Sequence, residues 1–130
     1  NLRTGSFHYA RAGHPPPFVA TASAQTLDVP YRLGQALGLF DELILDEQEI
    51  KLPPGGCLLL YSDGLSEAMD QKGDTFPMES LGELLAQSQD AHPQAFCQAL
   101  WEAMQSFSHG LHQGDDFTVA ALRWQPGAIR

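Results

Sequence analysis

Basic residues are scarce in this chain. Lys and Arg number 7 against 16 Asp and Glu, a formal net charge of −9 over 130 residues. Phosphate-rich partners are met by a surplus of Lys and Arg on one face, so no nucleic-acid partner is expected. An anionic membrane surface is disfavoured for the same reason. Long apolar runs are missing too: the longest unbroken one, Cys57–Tyr61, falls far short of the ~18 residues of a spanning helix. No charged-then-apolar leader opens the chain. Cysteine is equally sparse. Two, at positions 57 and 97, make no disulfide framework and fit a reducing compartment, so a cytoplasmic location is expected. What remains is an ordinary globular composition, 43% hydrophobic and 18% charged, in a chain long enough to bury roughly two-thirds of its unfolded surface around one core. Residue 1 is Asn rather than Met, and a strand-like run begins almost at once, which fits a piece of a longer protein.

No internal repeat or linker divides the chain, so residues 1–130 are expected to form a single domain. The first half reads as strands. Over 6–12, Phe7 and Tyr9 alternate with His8, Ala10 and Ala12, a period of two. Pro15, Pro16 and Pro17 then break the ladder, because proline donates no hydrogen bond. Short strands are predicted over 18–21 and 27–29. A further strand is predicted over 43–50, with Ile44 and Ile50 on one side and Glu47 and Glu49 on the other. The turn Pro53-Pro54-Gly55-Gly56 leads into Cys57–Tyr61, apolar on both faces as a strand covered on each side must be. The second half changes period. Met78, Leu81, Leu84 and Leu85 have helical spacing, and Phe96, Ala99, Leu100, Ala103, Met104 and Phe107 form the clearest amphipathic helix. Pro93 suits its first turn and Gly110 its stop. A last strand is predicted over 117–124. Strands, helices and a closing strand imply an α+β domain with a largely antiparallel sheet.

Two acidic strand ends carry the chemistry. Tyr61-Ser62-Asp63-Gly64 ends the buried strand, and Gly114-Asp115-Asp116-Phe117-Thr118 opens the last one. If these strands are antiparallel neighbours, the end of one lies beside the start of the other, and Asp63 converges with Asp115 across 52 positions. Clustered carboxylates suit Mg²⁺ or Mn²⁺. The plainer reading of Asp-Gly and Asp-Asp is turn chemistry. His14, in the rigid turn Ala12-Gly13-His14-Pro15, is by itself an ordinary hydrogen-bonding turn residue.

Three rival constellations are weaker. Gly64-Leu65-Ser66-Glu67-Ala68 follows a strand like a nucleophile elbow but has Ala for the second Gly, in an antiparallel setting. His109, His112 and Asp115 have zinc-like spacing but follow a helix stop, where solvated loop histidines are the better reading. A cysteine-phosphatase Cys-x5-Arg signature is excluded, since Asp63 and Ala103 stand where its Arg belongs.

The order of four segments is specific where each alone is not. Tyr9-Ala10-Arg11-Ala12-Gly13-His14-Pro15-Pro16, Leu37-Gly38-Leu39, the run from Leu58 through Ser62-Asp63-Gly64-Leu65-Ser66-Glu67-Ala68, and Asp115-Asp116-Phe117-Thr118-Val119 together resemble the SpoIIE-like branch of the PPM-type, metal-dependent protein serine/threonine phosphatases. The resemblance covers residues 2 to 124. It implies an antiparallel β-sandwich with helices packed outside, the α-β-β-α arrangement of that fold, here incomplete at its N-terminus. It implies hydrolysis of a phosphoserine or phosphothreonine by metal-activated water, with no phosphoenzyme and no catalytic residue beyond the metal ligands. Asp63 and Asp115 match the ligand positions; Gly64, Asp116 and His14 are weaker candidates. Two Mg²⁺ or Mn²⁺ ions are expected in the complete domain, where they offset the repulsion between an acidic protein and a phosphate dianion.

Three departures from the family pattern stand out. Arg11 replaces the usual Asn before Ala-Gly-His, Gly56 replaces an Asp after Pro-Gly, and the bridging Asp and an earlier acidic ligand belong to a segment upstream of residue 1. The chain therefore reads as the C-terminal part of a phosphatase domain, expected to be inactive alone and prone to self-association. Its substrate is expected to be a phosphoprotein, an anti-sigma-factor antagonist of a bacterial signalling system. The alternative is a non-catalytic, phosphatase-like binding module.

Overall fold

The computed structural model describes residues 1–88, 92–109 and 116–127. Among them six strands and three helices follow in order: β1 (Ser6–Arg11), β2 (Phe18–Ala20), β3 (Thr26–Leu27), β4 (Asp46–Lys51), β5 (Cys57–Tyr61), α1 (Asp63–Ser66), α2 (Ser80–Gln87), α3 (Pro93–Ser108) and β6 (Val119–Arg123). β1 and β4 pair antiparallel as one sheet, and the other four form a second, fully antiparallel sheet in the order β3-β2-β5-β6.

The alternation of side chains decides how these layers stack. On β5, Leu58 faces the first sheet and meets Val19, Ile50, Leu52 and Trp124, with Phe7 and Tyr9 packed alongside. Cys57, Leu59 and Tyr61 face the other way, onto Leu81, Leu85, Phe96, Leu100 and Met104 of the helices. The result is sheet on sheet on helices, and β5 is buried from both sides as its unbroken apolar run predicts. Leu60, over a third exposed, is the exception. Each fully buried Leu, Phe or Met contributes about 1.5–3 kcal/mol, and Phe96, Leu100 and Met104 are the buried stripe by which α3 packs on the sheet. Pro93 occupies its first turn and His109 ends it with left-handed backbone, φ 48°; the expected stop at Gly110 lies outside the described residues.

Two elements differ from the sequence expectation. The strand expected over 43–50 begins only at Asp46, and Ile44 lies exposed in the preceding loop. Its inward face is therefore Asp46, Gln48 and Ile50, with an aspartate where the sequence reading put an isoleucine. The last strand is shorter at both ends than 117–124, although Phe117, Val119 and Ala121 do share the helix-facing side.

The two ends of the sandwich differ. At one, Gly5, Leu52, Gly56 and Trp124 close the sheets: Trp124 Nε1 donates to the Leu2 carbonyl at 2.7 Å, and the Leu52 amide donates to the Gly5 carbonyl at 2.9 Å. The registers of β1 with β4 and of β5 with β6 then carry Arg11, Asp46, Tyr61 and Val119 to the opposite end. The turn over 12–17, with His14, joins β1 to β2 at that same end. No helix among the described residues is long and apolar enough to cross a membrane.

Candidate functional site

The apolar strand β5 stops at Tyr61, and the next residue ties it to the segment before β6. The Ser62 amide donates to the Thr118 carbonyl at 3.0 Å. Its hydroxyl donates to the Asp116 carbonyl at 2.8 Å and accepts the Thr118 amide at 3.0 Å. Ser62 is also the N-cap of α1, with extended backbone (φ −78°, ψ 163°), yet its side chain makes no cap bond. Serine at that place ordinarily turns its oxygen to the helix amides; here it turns across the sheet.

Asp63 therefore starts α1 right beside this clamp, with its carboxylate exposed. Its carbonyl accepts the Glu67 amide at 2.8 Å and the Ser66 hydroxyl at 3.3 Å. Leu65, fully buried in the core under the helices, anchors the short helix, and Gly64 is buried within its first turn. Asp116 is exposed on the segment that Ser62 holds. The antiparallel pairing of β5 and β6 thus brings Asp63 and Asp116 to one sheet end. Asp115 itself lies outside the described residues.

A second feature stands at the same end of the sandwich. Arg11 and Asp46 are direct partners in the β1–β4 register, and the Arg11 Nε donates to Asp46 Oδ2 at 2.7 Å with Nη2 on the same oxygen. Asp46 is wholly buried, and its other oxygen accepts the Arg32 amide at 2.9 Å and the Gln48 side-chain amide at 2.6 Å. Burial acts to raise the Asp46 carboxyl pKa, but the bonds from Gln48, Arg11 and the Arg32 amide outweigh it and hold the group below the usual carboxylate range. Arg11 also donates from Nη1 to the His14 carbonyl at 2.7 Å. The residue that departs from the family pattern therefore pins the histidine turn to the sheet. His14 Nδ1 donates to the Pro15 carbonyl at 3.1 Å. Burial pushes the Tyr61 phenol up, and the positive field of Arg11 opposes the shift, so Arg11 is within electrostatic reach of the end of β5. A cleft of about 370 Å³ opens beside this pair, lined by Arg11, His14, Tyr31, Arg32, Leu33 and Asp46 among others.

Sequence reasoning missed Ser62, Asp46 and Arg32. Only the short spacing of Asp46, Gln48 and Ile50 hinted at an inward carboxylate. The rival readings gain nothing: the Ser66 hydroxyl bonds its own helix, His109 caps α3, and His112 lies outside the described residues. Among the described residues no group of three or more His, Cys, Asp or Glu is placed to hold a metal ion.

The family model for Stage II sporulation protein E (SpoIIE) matches residues 1–125. The chain belongs to the SpoIIE family. It is 27% identical over 126 residues to the phosphoserine phosphatase RsbU of Bacillus subtilis, across 95% of this chain and 36% of that protein. It is 25% identical over 125 residues to protein IcfG of Synechocystis, across 94% of this chain and 19% of that protein. The phosphatase domain of the cell fate determinant SpoIIE from Bacillus subtilis superposes with a TM-score of 0.72 at 18% identity, covering 100% of this chain and 56% of that one. That likeness establishes the fold: the SpoIIE-family chain has the antiparallel sheets and packed helices of the phosphatase domain. The chain spans little more than a third of RsbU and under a fifth of IcfG.

Proposed function

We propose that the intact protein carrying this SpoIIE-family chain is a PPM-type phosphatase that hydrolyses phosphoserine or phosphothreonine on a bacterial signalling protein, of the anti-sigma-factor antagonist class. The observation that supports this reading is the clamp at Ser62, which holds Asp116 at the same solvent-facing sheet end as Asp63. Family membership supports it, and the RsbU relative is a phosphoserine phosphatase.

The donors fit a hard divalent cation in kind. Asp63 and Asp116 are carboxylates exposed beside each other's strand end, and oxygen ligands are what Mg²⁺ and Mn²⁺ take. The related SpoIIE domain was presoaked with Mn. Asp63 and Asp115 are the residues that would hold such ions, with Asp116 and His14 as lesser contributors. Two ions would need further oxygen ligands from outside the described residues. A divalent ion bound here supplies the positive charge that draws the phosphate and lowers the pKa of an attacking water. The chain's own contribution is to orient: Ser62 fixes the two strand ends, Leu65 seats the Asp63 turn on the core, and Arg11 holds the His14 turn against β4.

The second reading is a non-catalytic phosphatase-like binding module, favoured by the absence of any three-residue ligand cluster among the described residues. Asp63→Asn in the intact protein separates the two. A ligand role predicts loss of most Mn²⁺-dependent phosphatase activity with thermal stability unchanged or slightly raised, because one repelling carboxylate is gone. A turn role predicts full activity, since Asn makes the same local bonds. An active Asp63→Asn protein would refute the assignment.

A further inference from the structure

We infer that Ser62 is a positioning residue for the metal-binding end: its hydroxyl, bonded to both Asp116 and Thr118, sets the spacing between Asp63 and the acidic segment. The inference rests on the functional reading above and adds to it a residue with no metal-ligating role of its own.

A serine hydroxyl has one proton to donate and two lone pairs. At Ser62 the proton goes to the Asp116 carbonyl (2.8 Å) and one lone pair takes the Thr118 amide (3.0 Å). Together with the main-chain bond from the Ser62 amide to the Thr118 carbonyl, this closes three bonds between one residue and a three-residue stretch. The regular β5–β6 ladder ends at Tyr61 and Val119. Beyond that pair the chains would otherwise diverge, because β5 turns into α1 at Asp63. Ser62 thus holds the two acid-bearing segments together just beyond the regular ladder. The hydroxyl does this at the expense of the helix cap it is placed to make, so the cross-sheet bonds take precedence over the local one.

Ligand spacing matters more to a divalent ion than to folding. Mg²⁺-type coordination demands near-ideal geometry at about 2.0–2.1 Å, and loss of an outer-shell partner typically costs 10–100-fold in metal affinity. A merely structural Ser62 would lose stability in proportion to its bonds and leave ion binding alone.

The test compares Ser62→Thr, which keeps the hydroxyl, with Ser62→Val, which has the same branched shape without it, in the intact protein. The Mn²⁺ concentration for half-saturation is read by electron paramagnetic resonance of free Mn²⁺, well below the thermal midpoint measured without metal. The expected result is a rise of roughly 10-fold for Ser62→Val, with Ser62→Thr within about 2-fold of the unaltered protein. Phosphatase activity should follow the same order at limiting Mn²⁺ and converge at saturating Mn²⁺. Should Ser62→Val fail to fold, Ser62→Ala gives the same comparison with a smaller side chain. Half-saturation unmoved in a folded Val or Ala variant overturns the inference. Asp63→Asn, measured in parallel, separates the levels: if it too leaves Mn²⁺ binding unchanged, the metal site itself is misassigned, whereas loss in Asp63→Asn alone rejects only the role of Ser62.

Discussion

Arg11 sits directly across the β1–β4 ladder from Asp46 and grips one oxygen of that buried carboxylate with two nitrogens. The pair closes the first sheet at the end where the His14 turn and the end of β5 also lie. A planar guanidinium suits this place because its remaining nitrogen reaches the His14 carbonyl at the same time.

Replacing Arg11 by Met should strip Asp46 of its countercharge while leaving it buried, and removing one partner of a buried ion pair is strongly destabilising. The thermal midpoint should fall by roughly 10 °C. Adding Asp46→Leu should recover most of that loss, since two apolar side chains leave no charge stranded. Circular dichroism melts of the three proteins check this; a single Arg11→Met variant as stable as the parent would show that the pair contributes nothing.

Acid sensitivity follows from the same carboxylate. Its folded pKa lies below the unfolded value, so the stability it contributes is complete above about pH 4 and is lost as pH falls through the lower folded value. Glu49, lowered by the Ser6 hydroxyl and the neighbouring His8, acts in the same direction, so the comparison must isolate Asp46. Asp46→Asn should be the less stable protein at neutral pH, and its stability should decline less steeply between about pH 4 and 2. Parallel slopes in urea melts across that range would contradict the assignment.

Gly5 is the most constrained glycine. Its φ is +71°, and a Cβ there would lie 2.7 Å from both the Trp124 ring and the Leu52 carbonyl oxygen. Gly5→Ala should therefore cost about 1–3 kcal/mol from backbone strain alone and displace the indole from its bond to Leu2. In a Trp101→Phe background, where Trp124 is the sole tryptophan of the 130 residues, its emission should shift to longer wavelength. An unshifted spectrum and midpoint would mean that the end of the sandwich yields at little cost.

The loop between β3 and β4 exposes Tyr31, Leu33, Leu37, Leu39, Phe40 and Ile44, with Leu33 91% accessible. Large apolar side chains left exposed in number favour association. Residues 1–130 alone should form concentration-dependent oligomers by light scattering, and Leu33→Ser with Phe40→Ser should reduce them. A strictly monomeric chain at high concentration would count against the loop as a sticky surface.

Much of this fold is legible in sequence because its strong elements have clean periods. β5 is one apolar run, α3 keeps its i, i+3, i+4 stripe, and the placing of Asp63 and Asp116 at one sheet end follows once β5 and β6 are antiparallel neighbours. What escapes is whatever depends on a partner far along the chain. Glu47 and Glu49 read as the outer face of their strand, but nothing local gives Asp46 a partner; the pairing of β1 with β4 supplies Arg11, 35 positions away. Ser62 reads only as part of the turn that ends β5, and nothing local says that its hydroxyl prefers a segment 54 positions away. The four residues of α1 are too few for any period to register.

The indole of Trp124 reaches the carbonyl of Leu2 across 122 positions, so the first and last described stretches meet at the pole opposite Asp63. That bond fastens the entry to β1 to the exit of β6, so the pole opposite the acidic end is held by a contact between the two most distant described stretches. The same closeness makes the fold a natural subject for circular permutation. A short glycine bridge joining the two ends, with new termini opened in the exposed turn over 70–74, should retain both sheets and their order.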